Sequence, residues 1–444
     1  MALSVVTRFR VPKDLPSVTS INADAEVDPR SVDVPPEGVT AIWHAVERLY
    51  RSGIHPAIQL CVRRHGRVLL DRAIGHRSGN GPDDPPHGPK HPATVETPFD
   101  IYSASKAITA MLIHLLDQRG LVHLNDPVCE YIPEFARHGK DAITVQHVLT
   151  HRAGIPNLPP DVMQLDTLED EALIIRLLCD TKPTWRPGRR LAYHAITGGF
   201  LLGEIIKRVT GKNIRAVLKQ EILEPLGFRW MNYGVAARDV SKVARAYFTG
   251  PPLMPPLSTL LERALGVPLD RAVTLTNDPR YLRAIVPAGN VVSTANELSR
   301  FYQLLLNGGT LDGVRIFDPR TVRRATQEHS YLEFDLTLVL PLRYAMGFML
   351  GGQFLSLYGP DTQNAFGHLG FTNIISWADP DRQVAGALMT SGKPLVYPEL
   401  YFLHDVMWHI DAACRKTAPR RSATREPAVA RRRRGERRAT AHGH

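Results

Sequence analysis

The stretch Phe99-Asp-Ile-Tyr-Ser-Ala-Ser-Lys-Ala-Ile-Thr-Ala110 places the hydroxyl of Ser103 and the amine of Lys106 three residues apart. Apolar residues recur with helical spacing from Ile108 onward, and Gly120 follows the last of them. This pattern predicts an amphipathic helix that begins at Ser103 and ends near Gly120. Its apolar face consists of Ile108, Met111, Leu112, Leu115 and Leu116.

A serine and a lysine with this spacing form a candidate nucleophile and base. Residues three apart lie on one helical face, so the Lys106 amine reaches the Ser103 hydroxyl within about one turn. The unpaired N–H groups at the start of a helix favour negative charge on an oxygen held there. Burial disfavours a charged lysine, so a buried amine accepts a proton near neutral pH. Taken alone, the pair also fits a capping serine followed by a surface lysine.

Two later stretches contain further motifs. Tyr193-His-Ala195 follows a Pro-Gly turn and precedes a helix pattern, and His368-Leu-Gly370 precedes a strand pattern. With Ser103-Ala-Ser-Lys106, these motifs resemble, in order, those of the serine β-lactamase and penicillin-binding protein superfamily. The family's usual Tyr-x-Asn and Lys-Thr-Gly or His-x-Gly are replaced here by Tyr-His-Ala and His-Leu-Gly. The resemblance covers roughly residues 40–412 and is closest to class C-like esterases.

Strand patterns at both ends of the chain indicate its architecture. Strands are predicted near residues 57–63 and 67–73, and a second pair near 373–378 and 383–390 flanks a turn. Helical patterns dominate the residues between them. The chain is therefore predicted to be α/β, of the α+β type, with one antiparallel sheet and an inserted helical lobe. The resemblance implies the same β-lactamase/transpeptidase-like fold, a central antiparallel sheet flanked by helices with the catalytic crevice beside the helical lobe.

The domain organisation follows from composition. Residues 1–36 are predicted to be an extended N-terminal leader because they are rich in proline. Residues 37–414 form the predicted serine hydrolase domain, with the mostly helical lobe at roughly 103–290, and residues 415–444 form a tail. Within the domain, Thr294-Ala-Asn-Glu297 predicts a capping box at the start of a helix.

The resemblance implies catalytic roles for three residues. Ser103 would attack the carbonyl carbon of the substrate, while Lys106 and Tyr193 accept its proton and return it to the leaving group. A phenol with a free pKa of about 10 is a poor base unless a cation stabilises the phenolate. Which of the two groups is the working base therefore stays open.

The third motif is expected to contact the substrate. By the same resemblance, the backbone N–H groups of Ser103 and Phe371 would form the oxyanion hole. His368 and Gly370 would belong to the same binding segment.

Three departures from the family's motifs bear on the substrate. Ala195 has no side-chain amide, Leu369 has no hydroxyl, and His368 has no permanent charge for a substrate carboxylate. These losses favour a neutral carboxylic ester, including lipid or medium-chain acyl esters, over a β-lactam or a D-alanyl peptide. The predicted function is therefore ester hydrolysis through an acyl-enzyme on Ser103. A β-lactamase, D-aminopeptidase or acyltransferase with the same site remains open, as does a binding or scaffold protein of this fold.

Composition bears on whether the protein spans a membrane, is secreted, or contains a metal or disulfides. The chain has 444 residues with 43% hydrophobic content, enough for a large core. It has no apolar run near the ~18 residues of a membrane span and no secretory pattern at its N-terminus, so a cytoplasmic location is predicted, with peripheral membrane association as a further expectation. The four cysteines lack metal-like spacing, so neither a metal, a disulfide nor any cofactor is expected. They are Cys61, Cys129, Cys179 and Cys414.

The positive charge is concentrated in the tail. Residues 415–444 hold 11 Lys or Arg against two Glu, a net charge of +9 out of the chain's total of +10. With few large apolar residues, the tail is predicted to be disordered. Contact with anionic lipid or nucleic acid is one hypothesis for it, and a solvated terminus is the alternative. A second hypothesis assigns Pro251–Leu261, where leucines and Met254 alternate with prolines, to an acyl pocket rather than an ordinary packed loop.

Overall fold

A ten-stranded antiparallel sheet built from both ends of the chain forms the centre of the computed structural model. The structure describes residues 6–417 except 158–163, 257, 260, 263–266, 355, 372 and 396–399. The strands are β1 (Thr19–Ile21), β2 (Ala57–Arg64), β3 (Arg67–Ser78), β4 (His91–Pro92), β5 (Phe99–Asp100), β6 (Asn232–Tyr233), β7 (Val291–Ser293), β8 (Thr310–Leu311), β9 (Val314–Arg315), β10 (Ser330–Asp335), β11 (Leu340–Tyr344), β12 (Met349–Leu350), β13 (Phe366–Gly370), β14 (Ile374–Asp379) and β15 (Val384–Thr390). The order across the large sheet is β1-β3-β2-β15-β14-β13-β12-β11-β10, with β4 beside β3.

The two ends of the chain meet at the centre of this sheet. Strand β2 pairs with β15 from Ile58 opposite Thr390 to Arg64 opposite Val384. The turn between β2 and β3 has positive φ at His65 (52°) and at the glycine after it, as a type I′ hairpin turn requires. The predicted antiparallel sheet shared by the two ends of the chain is therefore confirmed.

Most of the helices lie between the two groups of strands. Short strands β5, β7 and β6 form a small sheet at the boundary of the lobe, and β8 pairs with β9. The helices are α1 (Pro36–Arg51), α2 (Ser105–Gln118), α3 (Val145–Leu149), α4 (Leu165–Glu169), α5 (Glu171–Asp180), α6 (Thr197–Thr210), α7 (Ile214–Leu218), α8 (Glu224–Leu226), α9 (Leu269–Leu275), α10 (Pro279–Arg283), α11 (Ala295–Leu306), α12 (Pro319–Ala325) and α13 (Leu400–Ala413). The predicted α+β architecture, one antiparallel sheet with a mostly helical insertion, is thus confirmed.

Helices cover both faces of the large sheet. Along β2, Leu60 and Val62 point into the core shared with α1 and α13, whereas Cys61 points into the core shared with α2 and α11. Because both faces are covered, β2 is buried along its whole length, including its polar residues Gln59, Arg63 and Arg64. Trp377 lies in the core shared with α1 and α13, directly over Gly386. An added Cβ at Gly386 would lie 2.4 Å from the indole ring.

The N-terminal segment, predicted as an extended leader, is instead built into the domain. Residues 6–35 contain 3-10 helices at Pro16–Val18 and Pro29–Val32, and β1 pairs with β3 at the edge of the sheet. The prediction was wrong because a proline-rich composition does not reveal the apolar residues that anchor such a segment. The buried apolar residues of this segment are Phe9, Leu15, Val18, Val32 and Val34.

Two helix starts differ from prediction. The helix expected to begin at Ser103 begins at Ser105, because Ser103 lies in a separate 3-10 turn, Tyr102–Ala104. The capping box at Thr294 is only half formed. The Thr294 side chain accepts the N–H of Glu297, but the Glu297 carboxylate accepts N–H groups of the turn at residues 229–231 and ties that turn to α11.

Two predicted regions lie partly outside the described residues. Of the proposed pocket segment 251–261, residues 257 and 260 are not described, and Met254 is 69% exposed. Of the basic tail, only residues 415–417 are described. Across the described ranges, none of the helices is both long and apolar enough to cross a bilayer.

Candidate active site

Ser103 lies in a strained turn between β5 and α2. The Tyr102 backbone has a φ of 49°, a conformation that non-glycine residues rarely adopt and that is often found at functional sites. The Asp100 carboxylate accepts the Tyr102 N–H at 2.9 Å, and the Ile101 N–H donates to the carbonyl of Val291 at 2.9 Å. These bonds hold the half-buried Ser103 at the start of α2.

Lys106 is buried and bonded to three oxygens. Its Nζ lies 3.0 Å from Ser103 Oγ, 2.8 Å from the carbonyl oxygen of Ala195 and 3.0 Å from that of Ala288. Burial lowers the pKa of Lys106 from 10.5 to about 7. Helix α6 can approach the oxygens that bind Lys106 only because residue 199 is glycine. An added Cβ at Gly199 would lie 2.6 Å from Ala288. The predicted serine and lysine therefore meet, with an amine that is readily neutral.

Tyr193 completes the group predicted from the sequence. Its ring centre is 4.7 Å from Lys106 Nζ, within cation–π distance, and the side chain is buried. Burial raises the pKa of the Tyr193 phenol well above 10, and a hydrogen bond with Ser103 opposes that shift only in part. The phenol is therefore protonated at neutral pH, whereas the lysine is near its midpoint.

The third predicted motif lies beside the turn that holds Ser103. The His368 ring is buried 6.4 Å from that of Tyr193, and burial together with the charge of Lys106 lowers the pKa of His368 to about 3. Gly370 lets β13 pass close to the turn, since an added Cβ would lie 2.3 Å from the carbonyl oxygen of Ile101. The backbone of Phe371 has a φ of 51°, and its ring packs on the ring of Tyr102. The oxyanion role of the Ser103 and Phe371 N–H groups stays a prediction.

A carboxylate that was not predicted from the sequence holds Tyr193 in place. Asp335, fully buried at the end of β10, accepts the N–H of Tyr193 at 3.1 Å and those of Thr337 and Leu338 at 2.8 and 2.9 Å. The Tyr344 hydroxyl lies 3.4 Å from its other oxygen. No local motif marks Asp335, because its partner is 142 residues away in sequence.

A second missed residue is His151. Its ring lies 4.7 Å from the ring of Tyr193, and its Nδ1 accepts the N–H of His194 at 3.2 Å. Burial lowers the pKa of His151 well below 6.5, so the ring is neutral. His151 therefore supports the tyrosine motif by ring packing, by the bond from the His194 N–H and by its own carbonyl, which accepts the N–H of Ala192 at 3.1 Å. In the part of the chain that the structure describes, no group of three or more His, Cys, Asp or Glu side chains is arranged to hold a metal ion.

We expect Asp335→Asn to lower kcat/KM for a soluble ester about tenfold to a hundredfold. An amide in place of the carboxylate weakens the charge-assisted bonds that fix the backbone of Tyr193. The fall should appear in kcat more than in KM, measured with p-nitrophenyl butyrate. Asp312→Asn, which alters an exposed carboxylate paired with Arg300, is the matched control. Unchanged kinetics in a folded Asp335→Asn protein would contradict the positioning role.

The fold and the site together define a class of protein, the serine hydrolases that include serine β-lactamases and penicillin-binding proteins. In these proteins a serine lies at the start of a helix, with a lysine one turn further along the chain, beside an antiparallel sheet. The chain belongs to the Beta-lactamase family, whose sequence model matches residues 44–400.

Comparison with individual proteins agrees with this assignment. The chain is 31% identical over 306 residues to the "Esterase/beta-lactamase LipL" of Mycobacterium tuberculosis, covering 65% of this chain and 68% of that protein. A penicillin-binding protein homologue from Caulobacter crescentus has a similar structure, with a TM-score of 0.70, 28% identity, and 86% and 98% of the two chains covered. A family VIII carboxylesterase gives a TM-score of 0.72 at 25% identity, with 84% and 97% covered.

Proposed function

We propose that this protein hydrolyses carboxylic esters through an acyl-enzyme on Ser103. The observation that carries the proposal is the 3.0 Å contact between Lys106 Nζ and Ser103 Oγ, made by an amine whose pKa is about 7. An amine that is half neutral near pH 7 is well matched to removing a proton from a hydroxyl. The contacts of this amine are three neutral oxygens, which leave its lone pair available when it is deprotonated.

The proposed reaction has two halves. Neutral Lys106 takes the Ser103 proton as Oγ bonds to the ester carbonyl carbon, and the backbone N–H groups of Ser103 and Phe371 stabilise the oxyanion. The proton then passes to the departing alkoxide, with the Tyr193 phenol as donor and Lys106 resupplying it. In the second half, water gives a proton to Lys106 as its oxygen bonds to the acyl carbon. The bond from that carbon to Oγ then breaks and Lys106 returns the proton to Oγ, which releases the acid and restores Ser103 and neutral Lys106.

The surroundings of the site support an ester over a β-lactam. A His368 with a pKa of about 3 is neutral, so it offers no fixed charge to a substrate carboxylate. Ala195 contributes a carbonyl to Lys106 but no side-chain amide. Apolar side chains pack around Tyr193 and suit an acyl chain. They are Leu191, Leu338, Leu342, Met349 and Leu369. Two of the similar proteins are described as an esterase/β-lactamase and a carboxylesterase.

An ester panel run beside other substrates tests the proposal. We expect p-nitrophenyl esters from acetate to laurate to be cleaved with higher kcat/KM than nitrocefin or D-alanyl-p-nitroanilide. A fluorophosphonate probe should add its mass to the peptide that contains Ser103. Preference for nitrocefin would favour a β-lactamase, preference for the anilide a D-aminopeptidase, and ester products with added alcohols an acyltransferase. A folded protein that neither turns over nor reacts with the probe would favour the binding or scaffold alternative.

A further inference from the structure

The hairpin formed by β10 and β11 exposes a row of large apolar side chains. This apolar hairpin, residues 330–344, forms one edge of the large sheet. Six of its apolar residues are between 41% and 70% exposed. They are Tyr331, Leu332, Phe334, Leu336, Val339 and Leu340. A cluster of this kind on one element usually marks an interaction surface, whereas single exposed apolar residues do not.

The inner side of the same hairpin is packed firmly against the active site. Asp335 binds the Tyr193 backbone, and the Leu336 N–H donates to the carbonyl of Leu191 at 3.1 Å. Leu338 and Leu342 pack with Tyr193. The outward apolar residues are therefore presented by an element that is anchored, on its inner side, to the segment that carries Tyr193.

The edge strand is poorly shaped for pairing with the same strand of a second copy. The register of β10 against β11 shifts between Ser330 and Glu333, and Leu332 has a φ of 47°. A bulge of this kind bends and twists an edge strand, which blocks regular edge-to-edge pairing. The apolar interior of a lipid bilayer, which requires no strand register, fits this surface better than a second β-sheet.

The basic tail starts close to this hairpin. Lys416 Nζ lies 2.8 Å from the Asp361 carboxylate, and the Asp361 N–H donates to the carbonyl of Gln353 at 3.0 Å. The next residue, Phe354, is 90% exposed. Arg343 of the hairpin donates to the carbonyl of Gly351, two residues before Gln353. The start of the tail is thus connected to the apolar hairpin through a series of contacts that passes the segment containing Phe354.

We propose that the apolar hairpin and the basic tail together dock the protein on an anionic phospholipid bilayer. Exposed Phe, Leu and Tyr side chains enter the boundary between headgroups and acyl chains. The 11 Lys and Arg of residues 415–444 are attracted to anionic headgroups. Each contribution alone gives weak, reversible binding, and stable attachment needs both. The proposal does not depend on which substrate the site cleaves.

Vesicle flotation tests the docking directly and needs no turnover. The full chain is mixed with vesicles of phosphatidylcholine and phosphatidylglycerol, or of phosphatidylcholine alone. The hairpin variant Phe334→Ser/Leu340→Ser is compared with the control variant Ile21→Ser/Leu121→Ser, which removes two apolar residues of similar exposure, 49% and 47%, elsewhere. A chain ending at residue 417 lacks nine of the basic residues. Circular dichroism melting confirms that each variant is folded.

We expect the wild type and the control variant to float with the anionic vesicles. The hairpin variant should bind at least about tenfold more weakly, with the loss persisting at high salt, because apolar insertion is not screened. The chain ending at residue 417 should lose at least about tenfold at low salt and little at high salt, because its contribution is electrostatic.

Four results would overturn the proposal. The first is that no chain binds vesicles. The second is that the hairpin variant binds like the wild type, so that the tail alone is responsible. The third is that the tail binds duplex DNA and not lipid. The fourth is a dimer, seen by light scattering, that Phe334→Ser/Leu340→Ser dissociates while vesicle binding is absent, which would assign the hairpin to a second copy.

Discussion

Ser103→Ala is expected to lower kcat/KM for p-nitrophenyl butyrate by at least about 10⁴-fold and to abolish labelling by a fluorophosphonate. The substitution removes the proposed nucleophile, and the proposed oxyanion donors cannot replace it. Ser103 is half-buried, and without its Oγ the Lys106 amine still bonds to the carbonyls of Ala195 and Ala288. The fold should therefore survive, with a melting temperature within a few degrees of the wild type.

Ser105→Ala is the matched control for this result. Ser105 is two residues away and fully buried, and its Oγ accepts the N–H of Val291 at 3.0 Å. Its loss should lower the melting temperature and leave labelling of Ser103 intact. Turnover that survives Ser103→Ala, or labelling that Ser105→Ala removes, would place the nucleophile elsewhere. Intact-protein mass spectrometry with a slow ester substrate separates these outcomes, because only an acyl-enzyme adds the mass of the acyl group.

The serine, the lysine and the main strands were predictable because their signals are local. Ser103 and Lys106 are three residues apart, and the strand pairs β2–β3 and β14–β15 are joined by short turns whose residues mark them. The fold could be predicted from these signals because the strands at both ends of the chain need hydrogen-bonding partners. One sheet that contains both strand pairs provides those partners. The family resemblance then supplied the distant partner, Tyr193.

What was missed depends on contacts between distant parts of the chain. Asp335 looks like any acidic residue at the end of a strand until β10 is folded against Tyr193. Glu297 matches a local capping motif, yet its carboxylate binds three N–H groups from residues 229–231 instead. The start of α2 was misplaced because the positive φ of Tyr102 is fixed by Asp100 and the surrounding packing. A periodicity argument contains none of this information.

Lys106→Arg is expected to lower kcat/KM by about 10³-fold or more, because a guanidinium stays charged at every accessible pH and cannot act as a base. Lys140→Arg is the matched control. Lys140 is another fully buried lysine, and its Nζ binds the carbonyls of Cys179 and Thr181 at 2.8 and 2.7 Å, away from Ser103. If Lys140→Arg keeps its activity while Lys106→Arg loses it, the loss reflects the chemistry of Lys106 rather than the cost of fitting an arginine into a buried cage.

The pH dependence of the wild type distinguishes the lysine from the tyrosine as the working base. A base must be neutral before it accepts a proton, so with Lys106 near pKa 7 the value of kcat/KM should rise as pH increases through about 7 and then level off.

The pH dependence of stability gives an independent check. Because the pKa of Lys106 falls from 10.5 in the unfolded chain to about 7 in the folded one, the unfolded state binds more protons between these values, and this lysine's contribution to the free energy of unfolding rises with pH across that window. Lys106→Met should remove that rise. A rate that still climbs toward pH 10, with stability unaffected by Lys106→Met, would instead assign proton removal to the Tyr193 phenolate.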